Sequence, residues 1–186
     1  MKKLVIVAML LASSVSAHAA TELVVNGDFE TGNFSGWTKS GNISLSDVIA
    51  NSVTSNHTFV WRSGATGSAA FISQNLTTTV GYKYTLSFDV FNSATSASTF
   101  EADFAGTKVY EFSNQAQNWT HVTLTDLVAT GNSTELKFGA RNDPSFTRLD
   151  NVSVTVSAVP EPETYAMLLA GIGLMGAVAR RRKLPA

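Results

Sequence analysis

The sequence predicts an all-β fold, an antiparallel β-sandwich of the jelly-roll kind, flanked by an N-terminal signal peptide and a C-terminal single transmembrane helix. Three observations point there. Between Thr21 and Val159 no window carries a helical apolar stripe of useful length, while short runs alternate apolar and polar residues with the two-residue period of half-buried strands. Gly and Asn turn signals such as Gly41-Asn42, Ala105-Gly106 and Gly131-Asn132 separate these runs. The 186 residues include no cysteine, so the body must be held by packing, or by packing with a metal.

Residues 1–19 read as a secretory signal: Lys2 and Lys3, the apolar run Leu4 to Leu11, then Ala17-His18-Ala19, with cleavage expected after Ala19 in preference to Ala17. The body, residues 20–158, is one domain without internal repeats. Strands are expected near Leu23 to Asn26, Ile43 to Ile49, Thr58 to Arg62 and Ala70 to Leu76. The clearest alternation puts Tyr82, Tyr84, Leu86, Phe88 and Val90 on one face and Lys83, Thr85, Ser87 and Asp89 on the other. Ser93 to Thr99 is a small-residue loop. Strands follow at Thr99 to Phe104 and Thr107 to Phe112, through Val122 and Leu124, through Leu136, Phe138 and Ala140, and through Val152, Val154 and Val156. Nine or ten short strands at this spacing make a sandwich. The body has 7 basic and 12 acidic residues, a net charge of −5, which disfavours nucleic acid as a partner.

Residues 159–186 form a separate segment. Pro160-Glu161-Pro162 fixes two φ angles and removes two backbone donors, so no helix or central strand runs through it. An uncharged run, 165–179, leads directly into Arg180, Arg181, Arg182 and Lys183. Fifteen residues give roughly 22 Å of helix, short against a hydrocarbon core of about 30 Å, but Tyr165 and snorkelling basic side chains extend its reach. The cations hold that end on the cytoplasmic side and put the body across the membrane. Gly171, Gly173 and Gly176 also spell G-x-G-x-x-G, yet only ten residues follow, too few for a dinucleotide-binding unit.

The order of a proline motif, an apolar span and an arginine cluster closely resembles the PEP-CTERM sorting signal of Gram-negative bacteria. That resemblance implies recognition of Pro160, Glu161 and Pro162 by an exosortase after passage through the export machinery. It further implies an inner-membrane-anchored intermediate, then display at the cell surface or outside it. Similar tails are sometimes labelled after ice-binding proteins, but ice binding predicts a flat face of regularly spaced Thr, which Thr77-Thr78-Thr79 alone does not supply.

The opening Leu23-Val24-Val25-Asn26-Gly27-Asp28-Phe29-Glu30, with Gly36-Trp37, and the closing Arg148-Leu149-Asp150-Asn151-Val152-Ser153-Val154 resemble the first and last strands of galactose-binding-like sandwiches found in carbohydrate-binding modules. In that family a calcium ion often ties those strands together. The residues permit a structural calcium here: Asp150 shares parity with Val152, Val154 and Val156 and should point inward, where a carboxylate needs a partner, and Asp28 and Glu30 could face it. The competing reading is that Asp150 accepts backbone N–H groups and the other two are solvated. No other cofactor is required.

Sugar binding needs exposed aromatic rings with polar groups to orient hydroxyls. Trp61 with Arg62, Trp119 with His121, and Asn142-Asp143 on a loop are the candidates, and exopolysaccharide is the expected partner. A core position is favoured for Trp37, and also for Trp61 and Trp119, because Phe59 and Trp61 share one face of a short strand. Enzyme signatures are missing: no G-x-S-x-G, no H-E-x-x-H, no thiol, and in the body only His57 and His121. The expectation is an exported, non-enzymatic module with a structural, adhesive or weak carbohydrate-binding role. The rival is a small secreted glycan-acting hydrolase built on scattered carboxylates.

Overall fold

The computed structural model describes residues 21–51, 58–143, 145–157, 169–173 and 175. Its ten strands are β1 (Thr38–Gly41), β2 (Ser46–Ala50), β3 (Phe59–Ser63), β4 (Ala70–Thr77), β5 (Lys83–Asn92), β6 (Ser98–Phe104), β7 (Thr107–Ser113), β8 (Gln117–Val128), β9 (Ser133–Asn142) and β10 (Thr147–Val156). They build two five-stranded sheets, in the orders β1-β4-β9-β6-β7 and β2-β3-β10-β5-β8, with antiparallel pairing throughout. This is the jelly-roll sandwich, with the last strand in the chain at the centre of its sheet.

The two-residue period explains the packing. Along β5 the buried set is Tyr84, Leu86, Phe88, Val90 and Asn92, and the intervening residues stay partly or fully open. The Phe88 ring sits 5.8 Å from Phe100, 5.5 Å from Tyr110 and 5.3 Å from Phe138, which joins strands of both sheets through edge and tilted contacts. Trp37 is core as expected: it stacks on Phe29 at 5.7 Å and its Nε1 donates to the Asn26 carbonyl at 3.0 Å. No disulfide is needed because each sheet puts a full apolar face into this interior.

Several expectations are corrected. The stretch Leu23 to Asn26 is not a strand but makes a single bridge, Glu22 to Thr155, with Leu23 N–H donating to Val154 O at 3.0 Å. The Glu22 carboxylate accepts from Val154 N–H at 2.9 Å and Val24 N–H at 2.8 Å, and Asn26 at φ 54° then turns the chain away. Gly27 follows because the backbone passes so close to β10 that a methyl group would overlap the Val152 carbonyl oxygen. An edge strand, β1, stands where none was expected, since Thr38–Gly41 is exposed on both faces and carries no alternation. Tyr82 precedes β5 and is exposed rather than part of its buried face.

The expectations for the signal (1–19), for Pro160, Glu161 and Pro162, for Arg180, Arg181, Arg182 and Lys183, and for most of the 165–179 run lie outside the described residues. Residues 169–173 and 175 are helical. Among the described residues, no helix is long and apolar enough to cross a membrane.

Candidate functional site

On β5 one aromatic residue stands on the polar parity. Phe91 alternates with buried Val90 and Asn92, so its ring lies on the outer face of the β2-β3-β10-β5-β8 sheet. Strand register then places a row of side chains across that face. Asp47 on β2 is opposite Arg62 on β3, Arg62 opposite Arg148 on β10, and Arg148 opposite Phe91. Beyond Phe91, an irregularity in the β5–β8 pairing between Val90 and Asn92 brings the Trp119 ring to 5.8 Å from it. Four interstrand gaps of about 4.8 Å make the row about 19 Å long.

The charges along the row are unequal. Arg62 is clamped by Asp47 through two hydrogen bonds of 2.7 and 2.9 Å, which raise its pKa, and its guanidinium also lies 4.4 Å from the Phe146 ring centre. Arg148 lies 5.1 Å over the Phe91 ring, and its Nε is buried with no hydrogen-bond partner among the described residues. Burial, then the neighbouring Arg62, hold its pKa below the usual guanidinium value. Behind the row, Asp89 Oδ1 lies 2.6 Å from His121 Nδ1 and its Oδ2 accepts from Asn151 Nδ2 at 2.8 Å.

The opposite outer face is different in kind. There Lys137 pairs with Asp103 at 2.8 Å, Lys108 with Glu101 at 2.8 Å and Arg141 with Asp143 at 2.6 Å, so its cations are neutralised in place. A shallow hollow of about 160 Å³ lies over Thr99, Glu101, Lys108 and Gly139, closed by those same ion pairs.

Of the residues singled out from sequence, Arg62 and Trp119 fall in this row. Trp61 does not: it is 1 % exposed, its Nε1 donates to Ser46 Oγ at 2.9 Å, and its ring faces the interior beside Leu149. Asn142 is also corrected. It ends β9 rather than sitting on a loop, is fully buried, and donates from Nδ2 to Asn92 Oδ1 at 2.8 Å within a polar cluster that closes one end of the sandwich. Phe91 and Arg148 were not singled out for binding, although Phe91 on the polar parity of β5 was a readable signal.

The carboxylates proposed for calcium are not brought together. A bulge in β10 between Asp150 and Ser153 sets Asp150 opposite Asp89, out of step with Val152, and Asp150 Oδ1 accepts from the Asn151 N–H at 2.8 Å. Asp150 is 2 % exposed yet lies on the side of Arg148, not with the inward valines. Glu30 Oε1 accepts from Phe59 N–H at 3.1 Å, and Asp28 Oδ1 from Glu30 N–H at 3.3 Å. Among the described residues, no three His, Cys, Asp or Glu side chains form a group able to hold a metal ion.

A jelly roll that sets aromatic rings and a guanidinium in one row on an open sheet face has the build of a carbohydrate-binding module. Comparison with known families agrees: residues 21–161 match the model of the Carbohydrate binding domain family, CBM_4_9, and the chain belongs to that family. Residues 158–183 match the PEP-CTERM protein-sorting motif, which marks an exported protein of the exosortase-processed, Gram-negative type. No curated protein matches the chain. Among solved structures the fold is similar to TmCBM61 in complex with β-1,4-galactotriose, at 16 % identity and a TM-score of 0.62, over 74 % of this chain and 100 % of that one. It is also similar to the CBM22-1 xylan-binding domain of Paenibacillus barcinonensis Xyn10C, at 17 % identity and a TM-score of 0.55, over 78 % and 100 %. A third is the CBM22-1–GH10 portion of Clostridium thermocellum xylanase 10B, at 19 % and 0.55, over 75 % of this chain and 29 % of that one.

Proposed function

We propose that the chain is a non-catalytic, exported module that grips a polysaccharide of the extracellular matrix across the outer face of the β2-β3-β10-β5-β8 sheet. The observation that carries this reading is the row of Arg62, Arg148, Phe91 and Trp119. Half-buried rings offer flat apolar area to the C–H faces of a pyranose, and the guanidinium groups are directional donors for its oxygens. Both oxygens of Asp89 are already engaged, by His121 and Asn151, which favours a holding role over acid–base work at that carboxylate. The contact uses side chains alone and needs no cofactor. An exosortase acting at Pro160-Glu161-Pro162, after a stage anchored in the inner membrane, would deliver the body to the surface polymer.

The test is binding of the purified chain, in mild detergent, to a panel of soluble and insoluble polysaccharides. Of the three tryptophans, Trp37 and Trp61 are buried, so Trp119 is the reporter that a ligand can reach. Binding should shift the fluorescence, and Trp119→Ala should abolish the shift and weaken affinity about tenfold or more while leaving the melting temperature nearly unchanged. No depletion and no spectral change over the whole panel would reject the reading.

A further inference from the structure

We infer that the polysaccharide taken by this face is anionic, a polymer bearing ring carboxylates of the uronate type, with Arg148 as the carboxylate receptor. This rests on the sugar-binding reading above and specifies its ligand. Of the seven basic residues in the body, five have a carboxylate within ion-pair distance: Arg62, Lys83, Lys108, Lys137 and Arg141. Lys39 is exposed and rests 4.5 Å over the Phe34 ring. Arg148 is the remaining one, and its case differs because it is half-buried in the middle of a sheet, beside a second guanidinium, with Nε unpaired among the described residues.

A half-buried cation without an ion-pair partner is costly, and hydroxyl groups of a neutral sugar would satisfy its N–H groups but not its charge. Among the described residues no carboxylate lies within ion-pair distance of Arg148, and Asp47 on the same row is held by Arg62. Nε itself is buried, so the two terminal nitrogens of the guanidinium are the donors that receive a carboxylate, through bonds of about 2.8 Å. Phe91 and Trp119 lie along the same row, so a ring stacked there would turn a carboxylate on its edge toward Arg148. The body's net charge of −5 gives no general attraction for polyanions, and its charges farther than about 8 Å from the ligand are largely screened at physiological salt. The discrimination must come from this contact.

The experiment compares titrations of the full chain, at physiological salt, with oligogalacturonate and with alginate, each as the free acid and as its methyl ester. The ester keeps the ring and removes the charge. The inference expects the acid to bind about tenfold or more tightly than the ester, and Arg148→Gln to remove that difference. Arg148→Lys, which keeps the charge without the fork, should recover part of it. The acid-to-ester ratio of the unmodified chain decides the matter even where a variant folds poorly. Equal binding of acid and ester, or binding only to neutral polymers, would overturn the anionic assignment and leave the sugar-binding reading intact. Failure to bind any saccharide, charged or neutral, would reject both.

Discussion

At the scale of single residues, the molecule is most sensitive where backbones approach each other closely. Gly27 O accepts from Val152 N–H at 2.9 Å, and the space above its Cα is filled by the Val152 carbonyl. Gly27→Ala should therefore separate the opening segment from β10 and cost about 2–4 kcal/mol, measured by urea unfolding. An unchanged midpoint would mean that this crossing contributes nothing. Residue identity also explains which aromatics were readable. Phe91 breaks the alternation of β5 and is legible as an outward ring, whereas Trp61 and Trp119 each sit in a strand next to a basic or polar residue and strand period alone does not set them apart. What separates them is cross-strand pairing: Trp61 is opposite Val48 and Leu149, while Trp119 lies on an edge strand beside an irregular register. Chain spacing does not encode that difference.

At the scale of elements, the bulge in β10 sets the geometry of the whole outer face. Asn151, at φ 51°, is the extra residue that lets Leu149 and Val152 both face the core, while Asp150 and Arg148 share the other side. The sequence showed Val152, Val154 and Val156 in step and extended that step back to Asp150. An inserted residue leaves no mark on either flanking pattern, so parity alone points Asp150 inward where the register sets it opposite Asp89. Deleting Asn151 should put the two halves of β10 out of register and abolish cooperative unfolding. Asn151→Gly keeps the backbone shape, loses the bond to Asp89, and should cost only about 1 kcal/mol by chemical denaturation. Equal effects from the two changes would show that the bulge is not what fixes the register. The alternating strands β4, β5, β6, β9 and β10 were legible because each buries one face; β1 was not, because it buries neither.

At the scale of the whole molecule, the chain joins a carbohydrate-binding sandwich to a sorting motif at residues 158–183, and the proposed route has a signal at each end steering that sandwich. Protein recovered from culture medium should have an intact mass lacking residues 1–19 and the segment beyond Pro160-Glu161-Pro162, with the sandwich whole between them. Recovery there of an unprocessed 186-residue mass would refute the sorting scheme. The position of β10 adds a constraint in time. Its neighbours, β3 and β5, have no pairing with one another, so the two flanks of their sheet stay apart until the last-made strand arrives between them. On the proposed route, a polypeptide still threading outward would lack the central strand of that sheet, and the sheet would be completed only once its closing residues had emerged.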